Sequence, residues 1–296
     1  MEYGRLVTAM VTPFDAAGGI DWDATGRLID YLIEEQLSES LVVSGTTGES
    51  PTLTDGEKEA LFRFSVERVA GRAKIIAGTG SNDTAHSIHL TKVAEACGVD
   101  GVLLVAPYYN KPSQEGLYQH FKAIADSTKL PVVLYNVPGR TVVNISVETT
   151  LRLAAISNIV ATKDCASSEQ IIQLVAGAPE GFKVYSGDDA ATLPTLAVGG
   201  YGIISVASHV IGKKMKQLID AYVSGDVALA AKLNAECFPV FKGLFECPNP
   251  VPNPVALKHV MGLSGFPVGG VRLPLVGVTE SEAEFLQNLV DSSTAF

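Results

Sequence analysis

Eight short runs of apolar and β-branched residues recur along the chain, at residues 6–10, 41–44, 74–77, 101–105, 132–136, 159–163, 184–186 and 202–205. Their starts lie 35, 33, 27, 31, 27, 25 and 18 residues apart, room in each interval for one amphipathic helix and two loops. The runs are mostly continuous rather than alternating, as expected of parallel strands buried on both faces. Helical periodicity fills intervals at 23–36, 54–69, 84–96, 114–125 and 168–176, the second opened by the capping box Thr54-Asp55-Gly56-Glu57. Eight such repeats predict an α/β fold, a (β/α)8 TIM barrel over residues 1–225. An open doubly wound sheet would want a GxGxxG turn after its first strand, where Thr12-Pro13-Phe14-Asp15 stands instead. Residues 226–296 read as a C-terminal helical region. Helices are predicted at 213–223, which completes the barrel, and at 227–245, 254–262 and 280–289, with proline-rich residues 247–254 as a rigid connection.

Composition narrows the function classes. Of 296 residues, 47% are hydrophobic and 18% charged, against a globular norm of about 25% charged, which excludes disorder. The net charge of −10 argues against a nucleic-acid surface or an anionic membrane as partner. No stretch approaches the roughly 18 uninterrupted apolar residues of a membrane span. The first 14 residues lack the basic start and long apolar run of a signal peptide, and Cys97, Cys165, Cys237 and Cys247 form no CxxC pair, so a reducing cytoplasm is the expected compartment. Asn144-Ile145-Ser146 matches a glycosylation sequon but reads as a loop followed by a serine helix cap. So few charges to cover the outside predict that part of the surface is hidden in a homo-oligomer.

A barrel of this kind works at the C-terminal ends of its strands. The sixth run closes on Lys163. Such a lysine is either a solvated strand terminator or a partly desolvated amine that condenses with a ketone. The fifth run ends with Tyr135, a core tyrosine or a phenol close enough to exchange protons with Lys163. Gly45-Thr46-Thr47-Gly48-Glu49 offers two hydroxyls and several backbone N–H groups to a small carboxylate. Tyr108-Tyr109 is an aromatic pair in a loop, suited to packing on the site or on another subunit. Arg140, in the loop after the fifth run, suits a carboxylate on a ligand, whereas Asp188 and Asp189 would repel a phosphate and are expected to cap the next helix. His86 and His89 share a helix face, but no nearby cysteine or carboxylate completes a ligand set, so no metal is expected. Cys165, without a histidine to activate it, reads as a small semi-buried residue.

Taken in order, Gly45-Thr46-Thr47-Gly48-Glu49, Tyr108-Tyr109-Asn110-Lys111-Pro112, Tyr135-Asn136-Val137-Pro138-Gly139-Arg140-Thr141, the strand-end Lys163, Ser186-Gly187-Asp188-Asp189, Gly202-Ile203-Ile204-Ser205 and Arg272-Leu273-Pro274-Leu275 resemble the dihydrodipicolinate synthase family over nearly the whole chain. The resemblance implies a class I pyruvate-dependent lyase of lysine and diaminopimelate biosynthesis, joining pyruvate to aspartate 4-semialdehyde. It implies Lys163 as the Schiff-base residue and Tyr135, Thr46 and Tyr109 as a proton relay, with Tyr109 serving a neighbouring subunit. It also implies Thr47, Gly187 and the Ile204 backbone as pyruvate contacts, Arg140 as the contact for the semialdehyde carboxylate, no organic cofactor, and a homotetramer built as a dimer of dimers.

Two departures stand out. Feedback-sensitive members of the family typically carry a histidine where this chain has Lys58 and a glutamate where it has His86, although Asn82 and Tyr108 match. An added cation and a lost acid oppose a lysine ammonium, so weak or absent lysine inhibition is expected. The repeated Pro-Asn-Pro of residues 248–254 is longer than usual and has no function legible in the sequence. The nearest alternatives are N-acetylneuraminate lyase or a 2-keto-3-deoxy sugar acid aldolase, against which Arg140 and the Tyr108-Tyr109 pair speak. A catalytically silent barrel that only binds is the alternative of a different class.

Overall fold

A computed structural model describes residues 2–296. Strands β1 (Leu6–Ala9), β2 (Ser40–Val43), β3 (Lys74–Gly78), β4 (Gly101–Val105), β5 (Val132–Asn136), β6 (Ile159–Asp164), β7 (Lys183–Ser186) and β8 (Gly202–Ser205) pair in parallel and in chain order. β8 returns to β1 to close the barrel. The predicted (β/α)8 architecture is therefore the observed one.

Period-two alternation sorts each strand between two cores. Val7, Ala9, Val42, Ile76, Leu103, Val133, Tyr135, Ala161, Tyr185 and Ile204 fill the barrel interior. Their strand neighbours, among them Leu6, Leu41, Ile75, Val102, Leu134, Ile159 and Ile203, join a second core with the surrounding helices. With both faces buried, the strands read as continuous apolar runs.

The helices around the barrel are α1 (Trp22–Glu34), α2 (Asp55–Val69), α3 (Thr84–Ala96), α4 (Gln114–Asp126), the single turn α5 (Pro138–Thr141), α6 (Val147–Ala154), α7 (Ser168–Gly177), α8 (Thr192–Ala197) and α9 (Ser208–Val223). Their starts are chemically explicit. Asp21 caps α1, Thr54 and Glu57 form the expected capping box of α2, and Ser146 of the sequon accepts from Thr149 N–H at the start of α6. Arg140 sits on α5 rather than in an open loop, because Pro138 supplies a preset first helical position. Helix α9 begins before the predicted residue 213, since a first turn is joined to the main helix across a kink at Ile211. Helices α10 (Val227–Gly243), α11 (Val255–Leu263) and α12 (Glu280–Ser292) follow, and Leu233, Val240, Phe241, Val260 and Leu286 share the outer core with the barrel helices. No helix among the described residues is long and apolar enough to cross a membrane.

His209, fully buried at the start of α9, spans the seam of the barrel. Its Nδ1–H donates to the Val206 carbonyl at 2.8 Å and its Nε2 accepts from Val11 N–H at 3.1 Å. Accepting at Nε2 requires the neutral ring, and burial lowers its pKa from 6.5 to about 4 against the opposing pull of the Val206 carbonyl. The folded state then binds fewer protons than the unfolded one, so the stability it confers is complete above pH 6.5 and is lost as the pH falls toward 4. We predict that the stability gap between the wild-type chain and His209→Gln, measured by chemical denaturation, narrows by about 2 kcal/mol between pH 7.5 and pH 5. A gap that stays constant refutes it.

Candidate active site

The alternation that buries Ala161 inside the barrel turns Lys163 inward as well, at the C-terminal end of β6. Lys163 pairs in register with Tyr135 on β5 and with Tyr185 on β7, and only 5% of it is exposed. Its Nζ lies 4.4 Å from the centre of the Tyr135 ring, an amine laid against an aromatic face. Burial lowers the Lys163 pKa. The nearby Cys165 and Asp189 oppose the shift and Arg140 adds to it. A desolvated lysine of this kind keeps more of its amine neutral and nucleophilic. Burial raises the Tyr135 phenol, helped by Cys165 and opposed by Thr46 and Arg140, so at neutral pH it holds its proton.

The outward-facing residues next in each strand hold this pair in place. Asp164 Oδ2 accepts from Asn136 Nδ2 at 3.0 Å and from Gln170 Nε2 at 2.9 Å, while Oδ1 accepts from Ala166 N–H at 2.7 Å. Asn136 also donates to Asn144 and accepts from Ile145 N–H. The ends of β5 and β6 are thereby tied to each other and to the loops that follow. Asn136 and Asp164 were not singled out in the sequence, yet each stands directly after a candidate residue, and a polar side chain there signals a tether on the opposite face. Asp188 caps as expected, accepting from Ala190 N–H, but Asp189 does not. It is buried and accepts from Val206 and Ala207 N–H after β8, at 3.1 and 2.8 Å, which joins the β7 and β8 loops.

Gly187 leaves room for the lysine. A Cβ there would stand 2.6 Å from Lys163 Cε and 2.3 Å from Cys165 Sγ. Ile204 is buried in the interior core, and Thr47 is 2% exposed in the turn after β2. Thr46, Tyr135 and Arg140 are among the walls of a cavity of about 420 Å³, whereas Lys163, Thr47, Gly187 and Ile204 are not among its lining residues.

The chain matches the model of the "Dihydrodipicolinate synthetase family" over residues 2–293. The chain belongs to the dihydrodipicolinate synthetase family. The 4-hydroxy-tetrahydrodipicolinate synthase of Bacillus subtilis is 55% identical over 292 residues, covering 98% of this chain and 99% of that one. The crystal structure of dihydrodipicolinate synthase from Bacillus anthracis superposes with a TM-score of 0.95 at 52% identity, over 99% of each chain. The structure of the enzyme from Cyanidioschyzon merolae with lysine bound does so with a TM-score of 0.95 at 41% identity, again over 99% of each.

Two further groups of residues are expected from the family. Tyr109 is 88% exposed, with a φ of 74° that a tyrosine adopts only under constraint, and it lines no part of the cavity of its own chain. Lys58, His86 and Tyr108 line the same cavity as Thr46, Tyr135 and Arg140, and Asn82 Nδ2 donates to the Tyr108 carbonyl at 3.1 Å. Burial lowers the Lys58 pKa against the pull of Asp55, and the Asp55 carboxylate also lies 3.0 Å from His86 Nε2.

Proposed function

We propose that this chain condenses pyruvate with L-aspartate 4-semialdehyde to give 4-hydroxy-tetrahydrodipicolinate, the first committed step of lysine and diaminopimelate biosynthesis. The observation that carries this reading is a buried Lys163 amine held against Tyr135 at the mouth of the barrel. The amine attacks the ketone carbon of pyruvate, the ketone oxygen leaves as water, and a protonated imine remains. Loss of a methyl proton gives the enamine, whose carbon bonds to the aldehyde carbon while the aldehyde oxygen takes up a proton. The substrate amine then attacks the imine carbon, closes the ring and expels Lys163. Tyr135, Thr46 and Tyr109 carry the protons. Thr47, Gly187 and the Ile204 backbone receive pyruvate, and Arg140 receives the semialdehyde carboxylate at the entrance. The reaction needs neither metal nor organic cofactor. Four free cysteines, three of them buried, suit a reducing cytoplasm.

Borohydride reduction in the presence of pyruvate, read by intact mass and peptide mapping, should give one adduct on Lys163, and Lys163→Ala should give none. Gly187→Ala pushes a methyl group into Lys163 Cε and is expected to lower adduct yield by at least tenfold, since a misplaced reacting group of about 1 Å costs up to a hundredfold. A pyruvate adduct elsewhere, or none, overturns the imine mechanism.

The exposed, constrained Tyr109 is best explained by a neighbouring subunit whose site it completes, within a homotetramer built as a dimer of dimers. Mixing inactive Lys163→Ala with inactive Tyr109→Phe, followed by subunit exchange, should restore about a quarter of the wild-type activity, because only mixed two-fold pairs assemble one intact site. No recovery on exchange means that Tyr109 serves its own chain.

Lys58, Asn82, His86 and Tyr108 correspond to the family's lysine-binding set with its charges altered. Lys58 brings a second ammonium into that part of the cavity, and His86 with Asp55 replaces a free acid. Lysine is expected to inhibit weakly or not at all, and half-inhibition at submillimolar lysine in a steady-state assay refutes this.

A further inference from the structure

The proline-rich connection and the helix after it reach into the barrel mouth, and the mechanism above uses none of their side chains. Asn253, buried in that connection, donates from Nδ2 to Thr47 Oγ1 at 2.9 Å. Lys258 on α11 forms an ion pair with Glu49, Nζ to Oε1 at 2.7 Å, with the two side chains 3% and 1% exposed. The same ammonium donates to the carbonyls of Thr12 and Gly270, and Glu49 Oε2 accepts from Arg272 N–H at 2.9 Å. Glu49 ends the Gly45-to-Glu49 turn at a φ of 56°, a left-handed conformation that a glutamate keeps only when its surroundings hold it. The turn bearing Thr46 and Thr47 is thus gripped at Thr47 and Glu49 by residues from beyond the barrel.

An ion pair this deep yields little net stability, because desolvation offsets attraction, and fixing one geometry is the best-attested use of such a pair. A threonine hydroxyl has one proton to donate. With Asn253 N–H directed at Thr47 Oγ1, that proton stays available for an anionic oxygen in the site. We infer that Asn253, braced by the Glu49–Lys258 pair, is a positioning residue that fixes the Thr47 hydroxyl as a hydrogen-bond donor to the pyruvate carboxylate. The inference rests on the proposed reading in which Thr47 receives pyruvate. It gives the extended Pro-Asn-Pro segment a function: delivering one amide to the pyruvate half of the site.

The test is borohydride trapping across a pyruvate series, together with the KM for each substrate, on the full chain. Asn253→Asp is nearly isosteric but can only accept, so Thr47 must turn its proton away from pyruvate. The pyruvate concentration for half-trapping and the pyruvate KM should rise about tenfold or more, the effect of losing a hydrogen bond to a charged group. The semialdehyde KM should change less than twofold. Asn253→Ala, which removes the donor without adding charge, should shift the same two quantities in the same direction, and it serves alone if the aspartate variant does not fold. Unshifted pyruvate parameters in a folded variant, or equal shifts for both substrates, overturn the inference while the proposed function stands. A wild-type chain that forms no adduct on Lys163 overturns both.

Discussion

The two-residue alternation of a parallel strand is the constraint on which the rest of the molecule depends. On β5 and β6 it turns Tyr135 and Lys163 toward the barrel axis and Asn136 and Asp164 toward the helices. The inward pair meets in a dry environment where burial weakens the amine's hold on its proton. The outward pair finds hydrogen-bond partners that lock the strand ends. A one-residue slip of either strand would exchange the two sets, placing an acid in the site and the amine under the helices. The chemistry therefore inherits its precision from strand register, and the polar tethers behind the site serve that register.

The regular apolar runs made the barrel legible, because burial on both faces leaves a parallel strand no polar alternation to confuse the reading. The candidate residues were legible for a related reason: a barrel of this kind works where its apolar runs stop, so Lys163 and Tyr135 stood at the positions to inspect, and the ordered set of motifs decided between a solvated terminator or core residue and a working group. Thr46, Thr47 and Arg140 lay in short motifs between recognisable elements. Helix α6 was foreshadowed only by its cap Ser146, since its eight residues are too few to establish a helical period.

What stayed hidden depends on contacts between distant parts of the chain. Asp188 and Asp189 look alike in sequence, yet one caps a local turn and the other crosses to the backbone after β8, a difference set by how two strands lie side by side. Asn253 and Thr47 are separated by 206 positions, and no local pattern joins an amide in a proline-rich stretch to a hydroxyl after the second strand. Lys258 gave even less away, because its position on α11 fits an ordinary solvated lysine until the fold closes Glu49 over it. In each case the deciding quantity is desolvation, which exists only once the tertiary structure has excluded water.

The proposed substrates both carry carboxylates, whereas the chain carries a net charge of −10. The conflict resolves over distance. At physiological ionic strength, charges separated by more than about 8 Å of solvent are largely screened, so a carboxylate at the barrel mouth responds to the groups lining it rather than to the acidic exterior. There Arg140 and Lys58 face the cavity together with Asp55, whose carboxylate lies 3.0 Å from His86 Nε2, and Lys163 is buried against Tyr135. Of the buried acids nearest that lysine, Asp164 accepts from three N–H donors across its two oxygens and Asp189 from two on Oδ2, and burial raises the pKa of both. Hydrogen bonds to backbone and side-chain amides offset part of a carboxylate's field, so Asp164 holds the strand ends from the outward face of the barrel while the charge of Asp189 is felt mainly at Lys163. An acidic protein can thus present a mouth in which Arg140 and Lys58 outnumber Asp55, with amide donors offsetting part of the field of the acids behind it.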